Sequence, residues 1–144
     1  MGLLDTVLSS FKSKSVEDLP QVSAYSFGDV LYPYETHYFD IDELHIAYVE
    51  KGEGMPILFL HGQGSSINVF TPVLAGFHDH YRVLALDFPG FGKSGKKKIC
   101  TNRREYNKLL SAFINEVGGE SCWIVGHSLG GLISILVAEE NPQL

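Results

Sequence analysis

From residue 56 onward the chain alternates short unbroken apolar runs with longer stretches whose apolar positions recur at helical spacing. Pro56-Ile57-Leu58-Phe59-Leu60, Arg82-Val83-Leu84-Ala85-Leu86-Asp87 and Cys122-Trp123-Ile124-Val125 lack polar alternation. Strands read this way when a sheet is covered on both faces. Between them, Phe70 to Phe77 predicts a helix carrying Val73, Leu74 and Phe77, with Pro72 tolerated in its first turn. Tyr106, Leu109, Leu110, Phe113, Ile114 and Val117 form one stripe of an amphipathic helix, stopped by Gly118-Gly119. Leu129 to Glu140 is a further helical stretch, closed by Asn141-Pro142. Upstream, Thr36–Ile41 and His45–Glu50 read as an antiparallel pair around the Asp40-Ile41-Asp42-Glu43 turn region, and Lys51-Gly52-Glu53-Gly54 marks another turn. Strands alternating with helices predict an α/β fold, a mostly parallel sheet with helices on both faces, over residues 36–144.

Residues 1–35 stand outside that pattern and read as an N-terminal extension. Leu3, Leu4, Val7, Leu8 and Phe11 make one stripe of a short helix, followed by Lys12 and Lys14 where positive charge suits the helix dipole. Such a helix packs on its own domain or on a partner. A second reading is a membrane-surface foot, since Met1-Gly2-Leu3-Leu4-Asp5-Thr6 fits the myristoylation pattern M-G-x-x-x-[ST]. One myristoyl chain binds membranes only marginally.

Composition narrows the class. The 144 residues are 44% hydrophobic and 19% charged, with mean hydropathy +0.04, as expected of a globular domain. A net charge of −6 offers no basic surface for nucleic acid. Cys100 and Cys122 make neither a disulfide framework nor a metal site, so a reducing compartment is the expectation. No apolar run approaches the roughly 20 residues that span a bilayer, and the N-terminus does not read as a secretory signal, since Asp5 interrupts a short apolar run that no basic segment precedes. The expected localisation is cytoplasmic, with oligomeric state open.

Chemistry concentrates in three loops, each following a buried strand. They are His61-Gly62-Gln63-Gly64, then Asp87-Phe88-Pro89-Gly90-Phe91-Gly92-Lys93-Ser94, then Gly126-His127-Ser128-Leu129-Gly130. In an open α/β sheet such loops gather at the edge where ligands bind. The last is a G-x-S-x-G pentapeptide between strand and helix. A serine there is presented at a sharp turn, with the first helical N–H groups around it. Gly126 and Gly130 remove side chains where strand and helix cross.

H-G-x-G, D-x-P-G-x-G-x-S and G-H-S-x-G-G, in that order, resemble the α/β-hydrolase family, and the resemblance runs from about Thr36 to the last residue. It implies that Ser128 is a nucleophile that forms an acyl-enzyme, and that the backbone N–H groups of Gln63 and Leu129 form the oxyanion hole. It gives His61 a structural, loop-bracing role and Asp87 the role of fixing its own loop. His127 is set aside as base because its neighbour occupies the elbow. The expected substrate is a small ester or related acyl compound, with no metal and no organic cofactor. Ser128, in place of an aspartate, argues against the carboxylate-nucleophile branches, the dehalogenases and epoxide hydrolases.

Two rival motifs fall short. Gly90-Phe91-Gly92-Lys93-Ser94-Gly95 matches G-x-G-x-x-G, but a dinucleotide loop must open a helix directly, and here Lys96-Lys97-Lys98 and a Thr101-Asn102 cap intervene. Gly92-Lys93-Ser94 imitates a phosphate-binding loop whose first glycine would fall on Asp87. The lysine run reads as a solvated loop surface. A serine also needs a base and an orienting acid. The family carries both after later strands, so the chain resembles an N-terminal portion with later strands missing and is expected to be inactive alone. A non-catalytic hydrolase-like binding module, or an acyltransferase on the same fold, remains open. The strand Cys122–Val125 is expected to have an open edge.

Overall fold

The computed structural model describes residues 30–119 and 121–142. The expected helix on Leu3–Phe11 and the Met1–Thr6 pattern lie outside these residues. Five strands form one sheet in the order β1-β2-β4-β3-β5: β1 Thr36–Ile41, β2 Leu44–Lys51, β3 Pro56–Leu60, β4 Arg82–Leu86 and β5 Trp123–Gly126. β3 lies between β4 and β5 and runs parallel to both. β1 and β2 form the expected hairpin, and β2 is antiparallel to β4. The sheet is therefore mixed: a parallel set carrying the loops, extended by a hairpin. Asp42, at φ 51, makes the hairpin turn, a conformation that Asp and Asn tolerate better than most residues.

The unbroken apolar runs are explained by two cores, one on each face of the sheet. Leu58, Leu60, Leu84 and Leu86 pack with Leu109, Leu110 and Phe113 of helix α2 (Arg103–Phe113) and with Ile133 and Val137 of helix α3 (Leu129–Glu140). Ile57, Phe59, Val83 and Ala85 face the other way, onto Ile67, Phe70 and Leu74. These last belong to a 3-10 turn (Ile67–Phe70) and helix α1 (Thr71–Phe77). Consecutive strand residues thus serve opposite faces, as pleating requires.

Helix α2 starts three residues before its apolar stripe because Asn102 caps it, its side chain accepting from the Glu105 N–H. It ends in a wider π-helical turn, Ile114–Gly118, before Gly119 at φ 98. β5 lies one residue later than expected, and Cys122 is buried just ahead of it.

Among the described residues β5 pairs on one side only, the open edge expected of it. Trp123 and Val125 there are 56% and 44% exposed, while Leu132 and Ile135 on α3 are 56% and 68% exposed. Among the described residues no helix is long and apolar enough to cross a membrane.

Candidate active site

The parallel direction of β3, β4 and β5 brings their following loops to one end of the sheet. At the end of β5 the chain turns sharply into α3. Ser128 sits in the turn at φ 54, ψ −116, a backbone conformation that costs a non-glycine residue of order 1–3 kcal/mol. The surroundings hold the turn closely. The His127 N–H donates to the Leu60 carbonyl at 3.0 Å, and the Leu132 N–H to the Ser128 carbonyl at 3.0 Å. A methyl at position 130 would lie 2.1 Å from the Leu60 oxygen, and one at 126 would lie 2.3 Å from the Gly130 carbonyl. Strand and helix touch backbone to backbone.

The loop after β3 packs against this elbow. A methyl on Gly62 would meet the His127 ring at 3.1 Å and the Ser128 Cβ at 3.2 Å, so residue 62 is held in contact with the serine. Gln63 follows, exposed. Among the described residues no acceptor pairs with the backbone N–H of Gln63 or of Leu129. Two clefts open beside them. One, of about 360 Å³, is lined by Ser128, His127, Gly62 and Gln63 with Val69 and Phe70. The other, of about 320 Å³, is lined by Gln63 and Leu129 with Phe91, Ile99 and Tyr106. Phe70, Phe91 and Ser128 thus border the same pair of clefts, with Gln63 between them.

His61 is completely buried. Its Nε2 accepts from the Phe88 N–H at 3.0 Å, so Nδ1 carries the proton and donates to the Gly62 carbonyl at 2.6 Å. Both nitrogens are occupied, by Gly62 and Phe88 and not by Ser128. Burial holds its pKa below the ordinary imidazole value; the Gly62 bond and the Asp87 charge oppose this. The ring ties the loop after β3 to the loop after β4, and it stands edge-on to Phe88 and Phe91.

Asp87 is equally buried. Its Oδ1 accepts from the Ile67 N–H at 2.8 Å, and its Oδ2 from the Lys93 N–H at 2.8 Å and the Tyr32 hydroxyl at 2.5 Å. Burial pushes its pKa up, while the three donors and His61 pull it down. Gly92, at φ 47, leaves room for the carboxylate: a methyl there would come within 2.0 Å of Oδ2. Ser94, also buried, donates to the Asp87 carbonyl and accepts from the Ala47 N–H, tying this loop to β2.

The lysine run is less uniformly solvated than expected. Lys96 turns back, its Nζ donating to the carbonyls of Phe91, Gly92 and Ser94. Close-set carbonyls at the end of a tight loop attract the ammonium group. Tyr32 is the residue that sequence reasoning missed. It lies in the stretch taken as an extension, yet it reaches the core of the site, and nothing in its local sequence signals this.

A family model of the alpha/beta hydrolase fold matches residues 55–144, and the chain belongs to that family. It is 32% identical to haloalkane dehalogenase 2 of Mycobacterium tuberculosis over 114 residues, covering 78% of this chain and 40% of that protein. It is 36% identical to a pimeloyl-[acyl-carrier protein] methyl ester esterase of Shewanella woodyi over 100 residues, covering 69% and 36%. Among solved structures, a probable hydrolytic enzyme from Pseudomonas aeruginosa PAO1 superposes with a TM-score of 0.72 at 28% identity, covering 81% of this chain and 41% of that one. The chain spans 28% to 40% of the length of the curated relatives it matches.

Proposed function

We propose that this chain is the nucleophile-bearing part of a serine hydrolase acting on esters or related acyl compounds. The observation that carries the reading is Ser128 itself, held at φ 54 at the start of α3 beside two unpaired backbone donors. The Ser128 Oγ attacks the carbonyl carbon, and the carbonyl oxygen gathers negative charge between the Gln63 and Leu129 N–H groups. The tetrahedral species collapses with loss of the alcohol, which takes up the proton removed from the serine. Water then attacks the acyl-enzyme and releases the acid. A serine at the elbow suits this acyl chemistry, and the relative named as a methyl ester esterase supports the reading.

The reading assigns no base within the described residues. His61 has both nitrogens engaged, and no imidazole among the described residues is hydrogen-bonded to the Ser128 hydroxyl. The same observation favours a second reading, a hydrolase-like module that binds without catalysis. A fluorophosphonate probe separates the two. Ser128-dependent labelling, in this chain or in a longer polypeptide carrying it, supports the enzyme, and its absence in both supports the binding module. Residues 1–144 alone are expected to turn over p-nitrophenyl esters some 10⁶-fold more slowly than a complete serine hydrolase. Fast, Ser128-dependent turnover by 1–144 would overturn the missing base.

A further inference from the structure

Tyr32 bonds a carboxylate that in turn holds the loop bearing Gln63. The loop after β3 begins at His61 and ends at Ile67, and both ends are fixed from the neighbouring loop. At its start, His61 is clamped between Gly62 and Phe88. At its end, the Ile67 N–H is held by Asp87 Oδ1. Gln63 lies between these anchors. The second oxygen of Asp87 is shared by the Lys93 N–H and the Tyr32 hydroxyl, and the His61 Nε2 stands 3.9 Å from Oδ1. Tyr32 is itself pinned, with the Lys93 ammonium 4.8 Å above its ring and also bonded to the Thr36 hydroxyl. A buried carboxylate orients toward its donors, and removing one of the two on Oδ2 leaves that oxygen to the Lys93 N–H alone and shifts the balance of pulls on the carboxylate.

We infer that Tyr32 is a positioning residue for the oxyanion donor Gln63, acting through Asp87 and Ile67 from a segment outside the strand and helix pattern. The inference rests on the serine-hydrolase reading for its kinetic consequence but not for its structural one. The phenol supplies one of the two donors to Asp87 Oδ2; without it the carboxylate turns, the Ile67 bond lengthens and the Gln63 N–H moves relative to Ser128. Burial and the Asp87 carboxylate both raise the Tyr32 pKa, so the phenol stays protonated and donating throughout the working range.

The test compares wild type, Tyr32→Phe and Ser128→Ala in whichever polypeptide reacts with a fluorophosphonate. Tyr32→Phe is expected to fold and to lose roughly tenfold in kcat, a fraction of the ~10²–10³ lost with an entire oxyanion donor. KM should stay within about twofold, because the substrate's remaining contacts are untouched. A residue that only stabilises the fold would lower the melting temperature without moving kcat at 25 °C, and that outcome overturns the inference. Failure of Tyr32→Phe to fold overturns it too, since the hydroxyl would then be a folding determinant. An independent arm follows the Gln63 and Ile67 amides by NMR. Both are expected to shift in Tyr32→Phe while amides in α2 do not, and unmoved amides overturn the inference. If wild type never labels, the hydrolase reading fails, and the amide shifts still decide the role of Tyr32.

Discussion

Ser128 and His61 are neighbours in space with opposite designs: one strained and open, the other fully paired and closed. At Ser128 two effects compete. Replacing it with glycine relieves about 1–3 kcal/mol of backbone strain but adds roughly 0.5–1 kcal/mol of chain entropy to the unfolded state. Relief wins, so Ser128→Gly is expected to raise stability by about 1 kcal/mol while abolishing probe labelling. A urea midpoint equal to or below wild type would refute this. At His61 the sign runs through protonation. Its folded pKa lies below the ordinary 6.5, so the unfolded chain takes up a proton before the folded one does. The stability it contributes is complete above about 6.5 and is lost as the pH falls from there through the folded value. Asp87, raised by burial, acts with the opposite sign at pH values above its ordinary 3.8. A ring-proton NMR titration isolates His61, and a midpoint at or above 6.5 would contradict its assignment as a buried neutral brace. The motif residues at this scale were legible because glycines and a serine at a strand–helix junction carry local backbone meaning. Tyr32 was not legible, because its partner is 55 residues away and the bond depends on the assembled loops.

At the scale of elements, strands β3 and β4 and helix α3 could be read to within a residue, since continuous apolar runs and helical spacing are local signals. The placement of β2 beside β4, antiparallel, was not readable: the same apolar strand fits any neighbour that covers it. Helix α3 exposes Leu132 and Ile135, and Ile135 shares a cleft with Trp123 and Ile124 of the edge strand β5. An unpaired edge strand next to apolar side chains is a template for association. Residues 1–144 in isolation are expected to show a molecular weight by light scattering that rises with concentration. Ile135→Glu should reduce this rise, because a charge on the exposed apolar face makes burial costly. A concentration-independent monomer would show that the face is inert.

Over the described residues, the two cores meet at the parallel strands, and the three motif loops leave from their common end. This is why motifs separated by dozens of residues lie together: the sheet converts sequence distance into proximity. The hairpin β1–β2 broadens the sheet without contributing a motif loop of its own. Fold and loop order were recoverable from patterning and motif order together. The clefts on either side of Gln63 were not, since their walls come from the 3-10 turn, α1, α2 and the segment around Ile99 at once.

The place of β3 between β4 and β5 also sets a schedule. Its residue Ile57 pairs with Val83 on one side and with Trp123 on the other. On a ribosome adding ~5–20 residues each second, roughly 3–13 s separate Ile57 from the arrival of Trp123. Once Arg82–Leu86 has been made, partway through that interval, β3 and β4 can be joined, while the flank meant for β5 waits bare. The nascent chain is most vulnerable in those seconds, and the serine elbow cannot form until they end.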